Sequence, residues 1–202
     1  MRPLLRTAVS ILCAISLSTV LAHRALHADS VSSRTPGPAN RDAPEARSVD
    51  NTPEGAQQLA AIVGNIEPIS QETRARRNVA QATFCFPQNV LGTLCYGLLR
   101  LSGNVLNAAD LNEVEIVVTG LPIAVSLGRY IFVSQSLLTE NMVRHEYGHT
   151  MQGYKHGPFY LLFEGSVSFV QAVISLFSPS FAERYYDRWP ENEADELGGV
   201  TR

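Results

Sequence analysis

The sequence predicts a small α+β domain, and three observations carry that expectation. A β-branched run, EVEIVVTG (113–120), is followed by two short apolar stretches split by Gly128. A segment with no internal proline, SQSLLTENMVRHEYGHTMQG (134–153), has the signals of a helix. A strongly apolar stretch, 159–177, then leads to an acidic C-terminal segment, ENEADE. The chain has 202 residues, 45% hydrophobic and 17% charged, the composition of one globular domain with some extra length. A formal net charge of -3 leaves no basic footprint, so nucleic acid is excluded as a partner class.

In chain order, Arg2 and Arg6 precede an apolar run from Thr7 to Leu21, the pattern of a signal peptide over residues 1–22, with cleavage after Ala22 or Ala28. An uncleaved anchor is the alternative, although about 15 apolar residues are short for a span of roughly 20. Either reading places the protein outside the cytoplasm, secreted or in the periplasm and cell envelope. Residues 23–82 are rich in Ser, Pro, Ala and Arg and predict a disordered linker or pro-segment. One short helix is expected within it at Pro53 to Val63. RARR (74–77) reads as either a processing site or a solvated basic cluster.

The ordered domain is expected over 83–202. Cys85 and Cys95 are the two thiols beyond the leader; export favours joining them, and two buried free thiols are the alternative. Asn89 to Leu101 and Val105 to Val118 lead into the β-branched strand. Leu121 to Ser126 and Arg129 to Ser134 read as a hairpin or two further strands, giving a small antiparallel sheet. RYIFVS (129–134) is expected at the edge, where an extended peptide could pair with it. A helix from about Leu138 to Gln152 follows, capped by Ser136 or Thr139 and stopped by Gly153.

On such a helix His145 and His149, four apart, share one face and can converge on one ion. Two imidazoles satisfy half of a tetrahedral zinc site. Glu146, beside the first histidine, is angled next to the ion and can take a proton from water that the metal activates. A third ligand is needed. Glu191, in PENEADELGG, is the first candidate and Glu164, in LLFEGSVSF, the second. Tyr185 and Tyr186 precede the acidic helix and can either stabilise an oxyanion or pack beneath it. His156 reads as a surface histidine. Phe159 to Phe177 reads as a core helix pair, with membrane contact through it or through the N-terminus as the alternative.

HEYGH followed by PENEADELGG resembles the gluzincin branch of zinc metallopeptidases, and its ExxAD element is similar to that of the CAAX-prenyl-protein peptidase group. The wider phrasing, SLGRYIFV, HEYGHTMQ, GPFYL and EADELGG, also resembles short bacterial secreted HEYGH domains. The resemblance spans roughly Asn104 to Val200. It implies a zincin-like fold with an active-site helix and a C-terminal glutamate helix. It also implies Zn2+ as cofactor and a peptide or protein substrate. Glu191 is implied as the third ligand, with Asp195 hydrogen-bonded to His145. The multiple spanning helices of the membrane peptidases are not present, which leaves their prenylated substrates unsupported. The rival expectation is an exported, non-catalytic zinc-binding accessory or interaction module, since few residues follow EADELGG to build a substrate cleft.

Overall fold

The structure is a computed structural model that describes residues 53–202; the expected leader and residues 23–52 lie outside the described residues. These contain four strands and seven α-helices, so the domain is α+β.

Helix α1 (Pro53–Gly64) places Leu59 and Ile62 in the core, and Ile66 joins them just beyond its end. Helix α2 (Gln71–Ala82) is capped by Ser70, whose side chain accepts from the Thr73 amide. Residues 53–82 therefore belong to the folded unit, and the expectation of a disordered stretch up to residue 82 does not hold for them. Composition misleads there because a few apolar side chains suffice to dock α1 into the core shared by the sheet and the histidine helix. The RARR segment lies on α2: Arg74 pairs with Glu113 at 3.0 Å, and Arg77 bonds the Tyr147 hydroxyl while covering the Tyr147 and Tyr154 rings.

Helix α3 (Phe86–Leu101) contains Cys95, with Cys85 at its N-cap. Both thiols are buried and free, which corrects the expected disulfide. Ten residues of helix separate them by roughly 15 Å, far beyond disulfide reach. Cys85 instead faces the Gly153 carbonyl at 3.5 Å.

The strands are β1 (Val105–Leu111), β2 (Val114–Thr119), β3 (Ala124–Leu127) and β4 (Tyr130–Ser134), ordered β1-β2-β4-β3. Asn112 and Glu113, both at positive φ, close the β1–β2 hairpin in the mirror-image turn that strand twist favours. Strand β4 pairs antiparallel with β3 and parallel with β2, so the sheet is mixed and not antiparallel as expected. RYIFVS is correspondingly central, and β3 is the edge. The burial pattern explains this order: β4 is buried at all five positions and β2 nearly so, as suits strands covered on both faces. One face, with Ile116, Val118, Ile131 and Val133, meets α1 and the histidine helix; the other, with Val117, Tyr130 and Phe132, meets α3 through Cys95 and Leu99. Full burial of such aliphatic and aromatic side chains stabilises by about 1.5–3 kcal/mol each.

Helix α4 (Glu140–His156) starts at Thr139, whose side chain accepts from the Met142 amide at 3.2 Å. It ends at Gly157 (φ 62°), one turn beyond the expected stop. Gly153 lies inside the helix, where any Cβ would meet the buried Gln88 amide. A 3-10 turn (Gly157–Phe159) and a π-helical turn (Leu161–Gly165) lead to α5 (Ser166–Phe177). The expected core helix pair is not formed: Phe159, Leu162, Phe163, Val170 and Phe177 are exposed. No single helix among the described residues is long and apolar enough to cross a membrane; α4 and the 161–177 segment, bent by 111°, pass that test only together. After a short α6 (Pro179–Ala182), α7 (Glu191–Gly198) runs to Gly199, which supplies the left-handed conformation.

Candidate metal centre

Two helices build the site. Helices α4 and α7 meet where Gly148 and Gly198 remove side chains: a Cβ at 148 would overlap the Ala194 carbonyl, and one at 198 the Arg144 carbonyl. That close approach brings Glu191, at the first turn of α7, over the histidine face of α4. His145, Glu146, His149 and Glu191 are all buried, Glu191 at 0% exposure. The ligand atoms of His145, His149 and Glu191 lie within 4.8 Å of one another.

The hydrogen bonds around the cluster fix what each atom presents. His145 Nδ1 lies 2.7 Å from Asp195 Oδ1, and Arg202 Nε holds the other carboxylate oxygen at 2.5 Å. His149 Nδ1 lies 2.8 Å from Gln152 Oε1. The Gln152 amide nitrogen faces two acceptors, the Pro190 carbonyl at 2.8 Å and Glu193 Oε2 at 3.1 Å, so its oxygen must face the imidazole. Both histidines therefore carry a proton on Nδ1 and, when neutral, aim the Nε2 lone pair inward. Those two Nε2 atoms stand 3.1 Å and 3.4 Å from Glu191 Oε2. Neither Glu191 oxygen has a hydrogen-bond partner.

Three acceptors thus face one another in a buried site, an arrangement that a cation or a proton relieves. Tetrahedral coordination with bonds near 2.0–2.1 Å sets neighbouring ligand atoms roughly 3.3 Å apart, close to the two imidazole–carboxylate spacings of 3.1 Å and 3.4 Å. The residues present fit a divalent ion. Without an ion the geometry retains a proton: burial opposes charge on His145, but Asp195 and Glu191 outweigh it and push its pKa up to about 10. His149 is also raised, burial being outweighed by Glu191. Burial alone would raise Glu191, yet the neighbouring imidazoles hold it well below the usual carboxylate range.

Glu146 stands beside the cluster and outside its donor set. Burial raises its pKa against the opposing influence of His149, His145 and the Ser126 hydroxyl. Ser126, on β3, contacts Glu146 Oε2 at 2.8 Å and the Glu146 carbonyl at 2.6 Å, fixing the side chain against the sheet edge. Glu164 is buried elsewhere and pairs with His156, which is half-buried and not a free surface group; it takes no part in the cluster. Tyr186 packs edge-on against His145 under the Arg202 guanidinium. Glu193 is turned away toward Lys155 and Trp189.

A cleft of about 520 Å³ opens over these residues, its walls drawn from α3, β3 and the 161–172 segment, with Tyr160 and Tyr185 in its lining. Comparison of the chain with family models, with curated proteins and with solved structures finds no match. Gln152 and Ser126 are the functional residues that sequence reasoning missed. Gln152 was legible, three positions after His149 and so on its face of the helix. Ser126 carries no such signal, since it matters only through the docking of β3 beside α4.

Proposed function

We propose that this chain is a zinc-dependent hydrolase of peptide bonds with a zincin-like site. His145, His149 and Glu191 would hold the ion, and two imidazoles with one carboxylate suit zinc. When bound, zinc would polarise the substrate carbonyl and make water acidic enough to lose a proton near neutrality. Everything else falls to the protein. Glu146, kept basic by burial and held by Ser126, accepts that proton and delivers it to the leaving amine. Asp195 and Gln152 hold the two imidazole rings and their tautomers. Tyr185 lines the cleft with a phenol that burial keeps protonated, and would donate to developing negative charge on the carbonyl oxygen. Strand β3 is an edge strand that pairs with β4 and lines the cleft, so an extended peptide would pair along it.

The observation that carries this reading is the convergence of both Nε2 atoms on a buried carboxylate without hydrogen-bond partners, next to a second, serine-held carboxylate in an open cleft. A non-catalytic zinc module would need the first carboxylate and not the second. Metal analysis and hydrolysis assays on wild type and Glu146→Gln test it. About one zinc per chain in both proteins, with hydrolysis lowered about 10²–10⁴-fold in the variant, is expected; no bound metal, or full activity in the variant, would overturn it. An exported location belongs to the same reading and is tested by mass spectrometry of the mature N-terminus.

A further inference from the structure

The cleft's lining says more than that a peptide binds. Leu91, Leu94 and Leu98 contribute from α3, and Leu161, Phe169 and Ala172 from the opposite segment. Among the described residues no lysine, arginine or aspartate lines it, and the two glutamates that do are Glu146 and Glu191, both assigned above to the metal centre and its base. Of the nearby carboxylates, Glu164 lies outside the lining with one oxygen against His156, and Asp195 is held by His145 and Arg202. The apolar surface also continues outward from the cleft onto exposed side chains of both flanking segments, Phe86 and Leu94 on α3 and Phe163 and Phe169 opposite.

We infer that the cleft takes an apolar stretch of polypeptide by its middle, so that cleavage is internal and chain ends are excluded. This rests on the hydrolase reading above. A peptide's terminal carboxylate would need a cationic partner in the cleft, and its terminal ammonium a free carboxylate; neither is provided, and burying either charge unpaired is heavily unfavourable. The same cost falls on charged side chains flanking the scissile bond. Leucine- or phenylalanine-sized groups instead exchange water for the leucine-lined walls, within a volume in the usual range of about 300–1,000 Å³ for binding clefts. The edge position of β3 beside the cleft favours a polypeptide over a lipid chain, because only a polypeptide can pair with main-chain donors and acceptors.

The test uses the full chain loaded with zinc and a panel of peptide hydroxamates that differ only in one side chain or one terminus, titrated calorimetrically. Capped leucyl and phenylalanyl compounds should bind on the order of 100-fold more tightly than aspartyl or lysyl ones, and more tightly than the same peptides with free termini. Leu94→Glu, at an exposed wall position, should narrow the gap for the lysyl compound. A library of peptides digested by the same protein should be cut at internal bonds between apolar residues. The inference is overturned by equal or tighter binding of charged or free-ended compounds, by cleavage confined to terminal residues, or by an acyl hydroxamate without peptide groups binding as well. Zinc-loaded protein that binds none of the panel overturns it too. Protein that retains no zinc instead sinks the hydrolase reading on which it rests, so the two failures are told apart.

Discussion

Gln152 accepts the His149 Nδ1 proton at 2.8 Å and turns its amide nitrogen to the Pro190 carbonyl, one residue before Glu191. One fully buried side chain thus fixes a histidine on α4 and the start of the helix that carries the glutamate. Replacing it by leucine keeps the volume and removes both bonds. Zinc affinity should fall about 10–100-fold, the usual cost of losing a partner that orients a metal-binding histidine. Competition with a chelating dye measures this, and an unchanged affinity would show that Gln152 only fills space.

Gly148 lets α7 approach α4. Alanine there meets the Ala194 carbonyl, and overpacking of this kind costs typically about 1–3 kcal/mol, occasionally more. Urea unfolding of the metal-free variant should register that loss, and zinc binding should weaken with it because Glu191 is displaced. Alanine at Gly64, where a Cβ meets nothing, is the control and should leave zinc binding as it was.

The Ser126 hydroxyl holds Glu146. Ser126→Ala should leave zinc content near one per chain while lowering kcat by about 10–100-fold, since a hydrogen bond to a charged group is worth about 1.5–3 kcal/mol. Ser126→Thr, which keeps the hydroxyl, should recover part of it. Loss of zinc in the alanine variant would instead assign Ser126 a role in building the metal centre.

Metal binding and protonation compete at His145. Its pKa is raised to about 10 in the metal-free site, so the stability it contributes is complete below its unfolded value near 6.5 and is lost as pH rises through about 10. At pH 7.5 the metal-free protein holds that proton, and binding zinc must expel it. Calorimetry in buffers of different ionisation enthalpy should give release of at least one proton per zinc. A buffer-independent enthalpy would contradict this assignment.

Cys85 and Cys95 are buried, and burial pushes the Cys85 thiol up to about 11. Neither should react with iodoacetamide in the native protein, and both should after unfolding without reductant. Mass spectrometry of the digested protein reads this directly. A Cys85–Cys95 peptide in the non-reduced digest would overturn the helical placement of α3.

The histidine helix was legible from local spacing, since i and i+4 positions face one way; the pairing of His145 with Asp195 was expected only from the resemblance of PENEADELGG to the ExxAD element. The strand order was not legible. Consecutive short strands suggest hairpins, and nothing local shows that the fully buried β4 must slip between β2 and β3. Residues 53–82 were obscured by composition, since only Leu59, Ile62 and Ile66 of this segment are buried in the core cluster, with Val63 partly buried against it. The cleft wall at 159–177 was read as core because its hydropathy is that of core; only the assembled fold leaves Leu162 and Phe163 outside.

The central claim is that two imidazoles and one carboxylate from α4 and α7 surround a single divalent ion. X-ray absorption at the zinc edge of the purified protein tests it most directly. The expected spectrum has two imidazole nitrogens near about 2.0–2.1 Å and oxygen at similar distance, with the oxygen contribution reduced in Glu191→Ala. A shell containing sulfur or lacking imidazole, or one unchanged by removing Glu191, would contradict it.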